Sequence, residues 1–400
     1  MKVDTHTILI ILSVLVVLSY IFNYVASRIK IPSVMLLIAS GLALQYASSS
    51  LGIRIPYTQT MLEILGITGL IFIVLEAALE LKLERNKLTL IGRAFLSALI
   101  LLAATAGLIS VIFIYYYDTS FRTALIHAIP LSVISSAVAI PSVVGMSEEK
   151  REFIVYESTF SDILGIILFN YVVAGQGLGV GSLVNFSFNL VLIVIVSVVS
   201  TLALIFLLNH SKGQVRFFLT FAILVLTYSF AKFLHLPSLL LVLCFGLVIN
   251  NFRLFNFPVV HRYFSFARLN DALNEMKTMT VETAFIIRTF FFLLFGYSIN
   301  TGLLLSKEVL ITGLVIILIT LALRTLFLKF ALRITSAPLS LIAPRGLITI
   351  LLFYSIPAHL RIEKLSEGVL FVVIALTGLA MTIGLLLSRD KPSERIEDVI

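Results

Sequence analysis

The chain has 400 residues, 60% hydrophobic and only 12% charged, with a mean hydropathy of +1.10. Soluble domains are about 45–50% apolar and about 25% charged, so the composition excludes a soluble globular protein and points to a polytopic membrane protein. The net charge of +8 reads as basic loops facing a cytoplasm and anionic lipid, with no nucleic acid as partner. The single cysteine, Cys244, lies in an apolar run and excludes an internal disulfide or a Cys-based metal site. Without Trp, Tyr must serve the interfacial belts. The first apolar run, 7–28, reads as a span and not as a cleaved signal, and the charged tail after Arg389 as too short for an appended domain.

Apolar runs predict spans near 7–28, 33–49, 61–81, 89–116, 121–145, 153–174, 184–209, 215–233, 236–251, 279–301, 306–333, 336–357 and 365–388. The expected fold is therefore an all-α membrane protein of about 13 transmembrane helices. The longest polar connection, 252–278, is a candidate for a surface helix. Connections after odd-numbered spans, with the C-terminal tail, hold about 19 Lys and Arg, and the N-terminus with the other connections about 7. That asymmetry predicts a multi-pass protein of the cell membrane, N-terminus outside and C-terminus cytoplasmic.

The halves of the chain resemble each other. Ile31-Pro32-Ser33 to Gly41-Leu42 in span two matches Leu236-Pro237-Ser238 to Gly246-Leu247 in span nine. At a similar offset, Ala139-Ile140-Pro141-Ser142 in span five meets Ile342-Ala343-Pro344-Arg345 in span twelve. Matching spans are seven apart. Seven is odd, so the copies insert with opposite orientation, as in the inverted repeats of secondary transporters. Pro141 and Pro344 each lack an N–H and are the expected points of helix interruption. Broken backbone survives in a bilayer only where it is buried or lines a cavity, so the pair marks the region of an ion site.

Charges inside spans are costly and mark ion paths or buried pairs. Glu76 lies in span three, Glu157 and Asp162 in span six, and Arg288, Arg324 and Arg345 in spans ten to twelve. We expect Glu157 and Glu76 to pair with Arg324 and Arg345, in an order left open, since a guanidinium stays charged and suits a permanent bridge. The role of Arg288 is left open. Asp162 is then the carboxylate without a committed partner, and the expected shared site for a cation and a proton. Ser158, four residues before Asp162, shares its helical face. Ser158, Ser161, Ser135 and Ser136 are candidate oxygen ligands for a small monovalent cation. His6, His127, His210, His235, His261 and His359 form no spaced ligand pair, so no metal beyond the transported cation and no cofactor is expected; His127 is a candidate for tuning the response to pH.

These residues resemble the monovalent cation/proton antiporters, nearest to the prokaryotic sodium/proton exchanger branch. Glu157-Ser158-Thr159-Phe160-Ser161-Asp162 is similar to that branch's Glu-Ser-x-x-Asn-Asp signature, and Leu75-Glu76-Ala77-Ala78-Leu79-Glu80-Leu81 to its Phe-Glu-Ala-Ala-Leu-Asn-Leu segment. Pro344-Arg345-Gly346 resembles its Leu-Arg-Gly motif, and Arg324 falls where the family has a buried Arg one span earlier. The resemblance implies a homodimer, with a dimerisation bundle over 1–81 and 215–301, an ion-translocating core over 89–174 and 306–388, and 184–209 as a linker helix. It implies that broken spans five and twelve cross near the ion site, and that Asp162 and Ser158 ligate the cation with Ser135 and Ser136 nearby. Two departures bear on the ion. Ser161 replaces the branch's Asn, and Ser135-Ser136-Ala137 replaces Thr-Asp-Pro, which is closer to the potassium-efflux branch.

The expected activity is electroneutral exchange of a monovalent cation, Na+ first, for H+ across the cytoplasmic membrane, serving pH homeostasis. Li+ and K+ are the other candidate ions, a K+/H+ antiporter or K+ efflux protein being the nearest alternative. A channel or an organic-anion transporter on a related fold is disfavoured by an acidic residue at mid-membrane. An intramembrane enzyme is disfavoured by the lack of a second free acid or of a nucleophile–His pair.

Overall fold

The computed structural model describes residues 13–14, 16–25, 31–50, 58–81, 87–143, 145–174, 180–210, 216–233, 236, 238–251, 266–299, 302, 306–333 and 337–388. Among them every predicted span meets a helix or a pair of half-helices. Spans one to four are α1 (Val16–Val25), α2 (Ser33–Ser50), α3 (Thr58–Glu80) and α4 (Leu88–Tyr117). Span five is split into α5 (Phe121–Ser132) and α6 (Ser136–Ser142). Next come α7 (Glu148–Ala174), α8 (Val180–His210), α9 (Arg216–Phe233), α10 (Ser238–Asn250), α11 (Phe266–Ser298) and α12 (Lys307–Phe330). Span twelve is split into α13 (Ala337–Leu341) and α14 (Leu347–Tyr354), and α15 (Glu367–Leu387) is span thirteen.

On α4 and α12 the outer stripe is apolar and several hydroxyls face inward. On α4, Leu96, Leu99, Ile100, Leu108 and Val111 are exposed, while Ser97, Thr105 and Ser110 are buried. On α12, Ile311, Leu314 and Leu318 are exposed, while Thr312, Thr320 and Arg324 are buried. A soluble protein has the opposite polarity, so these outer stripes are lipid-facing. Serine caps set several helix starts: Ser120, Ser306 and Ser366 accept from the N–H groups of Thr123, Val309 and Gly368.

Two boundaries differ from expectation. The surface helix predicted in 252–278 is absent over 266–278, which is the first part of α11; Leu269, Ala272, Leu273, Glu275 and Met276 favour helix, and no Gly or Pro interrupts 266–295. Residues 252–265 and Pro237 lie outside the described residues, as do His6, His235 and His261. The break in span five does not fall at Pro141. It spans Val133–Ser135, and Pro141 sits in the closing turn of α6, whose last residue is Ser142. Proline there ends the short half-helix instead of opening the gap. Pro344 does lie within its break, Ile342–Gly346.

The chain divides into two compact units: Met1–Ile67, Thr89–Gly165 and Ile286–Ile400 in the first, Thr68–Leu88 and Ile166–Phe285 in the second. In the second, α8, α9 and α10 pack together and Phe72 stacks on Phe221 at 4.9 Å. Asn250 and Asn251 donate to the Leu81 carbonyl just beyond α3. In the first, α12 and α13 pack on α15, and α5 on α14. There α2 and α11 approach backbone to backbone: a Cβ added at Gly41 would overlap the Leu293 carbonyl oxygen, and one at Gly296 would overlap that of Ile38.

A buried ion pair ties α7 to α12. Arg324 meets Glu157 with two parallel bonds, Nη1–Oε1 at 2.9 Å and Nη2–Oε2 at 2.7 Å. Its Nε donates to the Leu339 carbonyl of α13 at 3.0 Å. Ser97 of α4 donates to Glu157 Oε1 at 2.5 Å. Four helices are joined by one bidentate pair, each group about 1% exposed.

Glu157→Gln leaves Arg324 buried without its counter-charge and is expected to cost about 3–5 kcal/mol; it should sharply lower the melting temperature in detergent, and Glu157→Gln/Arg324→Met should recover part of the loss. Gly41→Ala and Gly296→Ala are each expected to cost about 1–3 kcal/mol by overpacking. They load the same crossing, so the double variant should lose less than the sum.

Candidate functional site

A helix break leaves N–H and C=O groups that a bilayer cannot satisfy. In span five those groups are met by side chains and by the other break. The Ile134 N–H donates to Ser161 Oγ of α7 at 2.9 Å. The Ser135 N–H donates to the Pro344 carbonyl at 2.9 Å, so the two breaks bond directly to each other. The Ser136 N–H, first in α6, donates to Asp162 Oδ2 at 3.1 Å, and Ser136 Oγ donates to the same oxygen at 2.5 Å. Gly346 lies against this contact: a Cβ there would come within 2.6 Å of Val138 and 2.8 Å of Ser135 Oγ.

Asp162 is 4% exposed. Among the described residues it has no guanidinium or ammonium partner, and its Oδ1 has no hydrogen-bond partner. The Ser135 hydroxyl, fully buried in the break, likewise has none. Two unpaired oxygens of the hard type that small cations prefer thus sit on residues joined through Ser136. The carboxylate also lies at the positive end of α6, where a helix dipole favours negative charge.

Arg345 is placed in the opposite sense, and the expected pairing is corrected here. Among the described residues its guanidinium meets no carboxylate. Nε donates to the Leu131 carbonyl at 2.8 Å, Nη1 to the Ala343 carbonyl at 3.2 Å and Nη2 to Thr320 Oγ1 at 3.4 Å. Leu131 lies in the last turn of α5, whose free carbonyls form the negative end of that half-helix. They supply the partner that a glutamate was expected to provide. Glu157 belongs to Arg324, while Glu76 is buried in α3 within the second unit.

The remaining candidates separate by bonding. Ser158 Oγ donates back to Ile154 O at 2.7 Å, as helical serines often do, which leaves its lone pairs to accept a cation. Ser161 is committed to the Ile134 N–H. Arg288 is half-buried in α11. Residues not singled out in the sequence also take part. Thr377 accepts the Arg345 N–H at 3.0 Å, Thr320 reaches its side chain, and Ser97 supports Glu157. The available signal was spacing: Thr320 and Arg324 are four apart on α12 and share a face. A small cavity between Thr105, Ser132, Ser161, Thr320 and the two arginines flanks the crossing.

A sequence profile described as sodium/hydrogen exchanger, transmembrane, matches residues 12–389. Two solved structures of the sodium proton antiporter MjNhaP1 from Methanocaldococcus jannaschii are similar in fold. One, at pH 8, has a TM-score of 0.66 at 19% identity, covering 94% of each chain. The other, an electron-microscopy map, has 0.65 at 16% identity, covering 98% of this chain and 100% of that one. A comparison with curated proteins gives no match. With its two broken helices bonded to each other, the chain belongs to the transmembrane sodium/hydrogen exchanger family.

Proposed function

We propose that the protein exchanges Na+ for H+ by alternating access, with Asp162 as the shared site. The observation that carries this reading is the state of that carboxylate. It is buried where the broken helices meet, free of any counter-charge among the described residues, with one oxygen unpartnered. Every other buried charge of the core is committed: Glu157 to Arg324, and Arg345 to carbonyls and a hydroxyl. A single uncompensated carboxylate is costly in an apolar surround and gains by taking a proton or a cation. The transition between the two accessible states then proceeds with the site neutralised and is blocked when it is empty.

Asp162 Oδ1 and the Ser135 hydroxyl supply the first cation contacts, with the lone pairs of Ser158 as a further candidate. Ser161 and Ser136 act on this reading by fixing the break and the carboxylate. One exchanging carboxylate supports one-for-one electroneutral exchange. The serine pair at 135–136, in place of a Thr-Asp pair, favours K+ as the alternative ion. We further propose a homodimer built on spans 1–3 and 8–10 (1–81 and 215–301), about which the core spans 4–6 and 11–13 (89–174 and 306–388) move, with 184–209 as linker. The N-terminus lies outside and the C-terminus in the cytoplasm of the cell that carries the protein.

The test is exchange in proteoliposomes followed with a pH dye, offering Na+, Li+ and K+ in turn. Asp162→Asn is expected to abolish exchange for every cation while keeping the elution profile of the folded protein. Undiminished flux in that variant overturns the assignment, and a rate that follows an imposed membrane potential overturns the stoichiometry. Ser136→Ala removes a charge-assisted bond of about 1.5–3 kcal/mol that favours the ionised carboxylate. Exchange by this variant is therefore expected to be slower than that of the wild-type protein by about tenfold in the same assay.

A further inference from the structure

Away from the crossing, at the far ends of the same two half-helices, lies a cavity of about 640 Å3. Its walls are α5, the end of α11, the end of α14, the connection 355–366 and the start of α15. The connection is a short 3-10 turn, Ala358–Leu360, between extended residues. It is held at three places. Arg361 donates to the carbonyls of Ile356 at 3.1 Å and Tyr354 at 3.3 Å, closing the end of α14. Tyr354 Oη donates to Glu367 Oε2 at 2.9 Å. The third tie is His127, 2% exposed on α5, which reaches 235 residues along the chain to Ile362.

The two partners of His127 fix its proton. Nδ1 lies 2.8 Å from the Thr123 carbonyl, which can only accept, so Nδ1 donates. Nε2 lies 3.2 Å from the Ile362 N–H, which can only donate, so Nε2 accepts. Only the neutral ring with its proton on Nδ1 satisfies both. A second proton turns Nε2 into a donor facing a donor, and the bond to Ile362 is lost. The charged groups around it add to this. Arg361 on the connection repels the imidazolium; Glu363 and Lys364 on the connection, Glu367 on α15 and Tyr354 of α14 are the other titratable groups lining the cavity, and Phe295 and Ser298 of α11 carry no charge.

We propose that His127 is a pH-operated latch: its neutral ring pins the connection 355–366 to α5 through Ile362, and protonation releases that connection from the wall of the cavity. The inference rests on this hydrogen-bond geometry and is independent of Asp162 and of which ion is carried.

The test is hydrogen–deuterium exchange over peptides spanning 354–366, corrected for intrinsic rates, in detergent at about pH 8 and about pH 5.5, either side of the histidine range. Protection of the Ile362 amide in the wild-type protein is expected to fall about tenfold on acidification beyond that of α5 itself. His127→Gln offers a carbonyl oxygen to Ile362 and an amide N–H to Thr123, and is expected to keep its protection at both pH values. His127→Leu is expected to be unprotected at both. Equal wild-type protection at the two pH values, or an equal fall in His127→Gln, overturns the proposal; the wild-type comparison decides whether or not either variant folds. Loss of exchange in Asp162→Asn leaves this result unaffected, so the two readings fail separately.

Discussion

The structure depends on one constraint: two helices are interrupted at a depth where water cannot satisfy their backbone. Each interruption exposes several N–H and C=O groups, and each unmet group costs several kcal/mol in hydrocarbon (roughly 4–8 on a cyclohexane scale). The solution is mutual. The Ser135 N–H is met by the Pro344 carbonyl, the Leu131 carbonyl by Arg345 from the second break, and the Arg345 N–H by Thr377. Neither break is stable without the other. The crossing must therefore form as a unit, and Gly346 is the residue small enough to let it.

That accounting explains why Asp162 sits where it does. Asp162 meets the first N–H of α6, so it is part of the structural solution. Yet it spends only one oxygen on that task. Ser136 binds Oδ2 twice, which orients the group and leaves Oδ1 directed elsewhere. A carboxylate pinned by a guanidinium, as Glu157 is, has both oxygens fixed. Asp162 is held by a hydroxyl and one N–H at a single oxygen, an arrangement that suits the competition between ions proposed above.

The thirteen spans were legible because lipid imposes length and apolarity on each, a signal strong enough to survive without knowledge of packing. The partnership of the two halves was legible through Pro141 and Pro344, but the break in span five was misplaced. Proline marks a span that tolerates disruption. Where the backbone opens depends on which hydroxyls and carbonyls face it, here Ser161 and Pro344, and those come from elsewhere in the chain. The pairing of Arg345 failed for a related reason. Counting charges assumes that charges answer charges. Helix ends also answer them, and the negative end of α5 appears in sequence only once the break is located. Thr377, Thr320 and Ser97 were unreadable individually, since Ser and Thr are frequent in spans and most of them bond their own helix.

The arrangement of charge around the crossing follows from the same geometry. Cutting one helix in two creates a negative end at α5 and a positive end at α6, a few residues apart. Arg345 occupies the first and Asp162 the second. Glu157 and Arg324 neutralise each other as a bidentate pair, which leaves Asp162 and Arg345 as the charges held at the two helix ends. On the proposed reading, a proton and a monovalent cation would bring the same charge to Asp162, so the surrounding field would not distinguish them. Selection between proton and cation would, on that reading, fall to short-range coordination by the oxygens of Asp162 and Ser135. A change at Ser135 would then, on the proposed reading, alter the affinities for the two ions unequally.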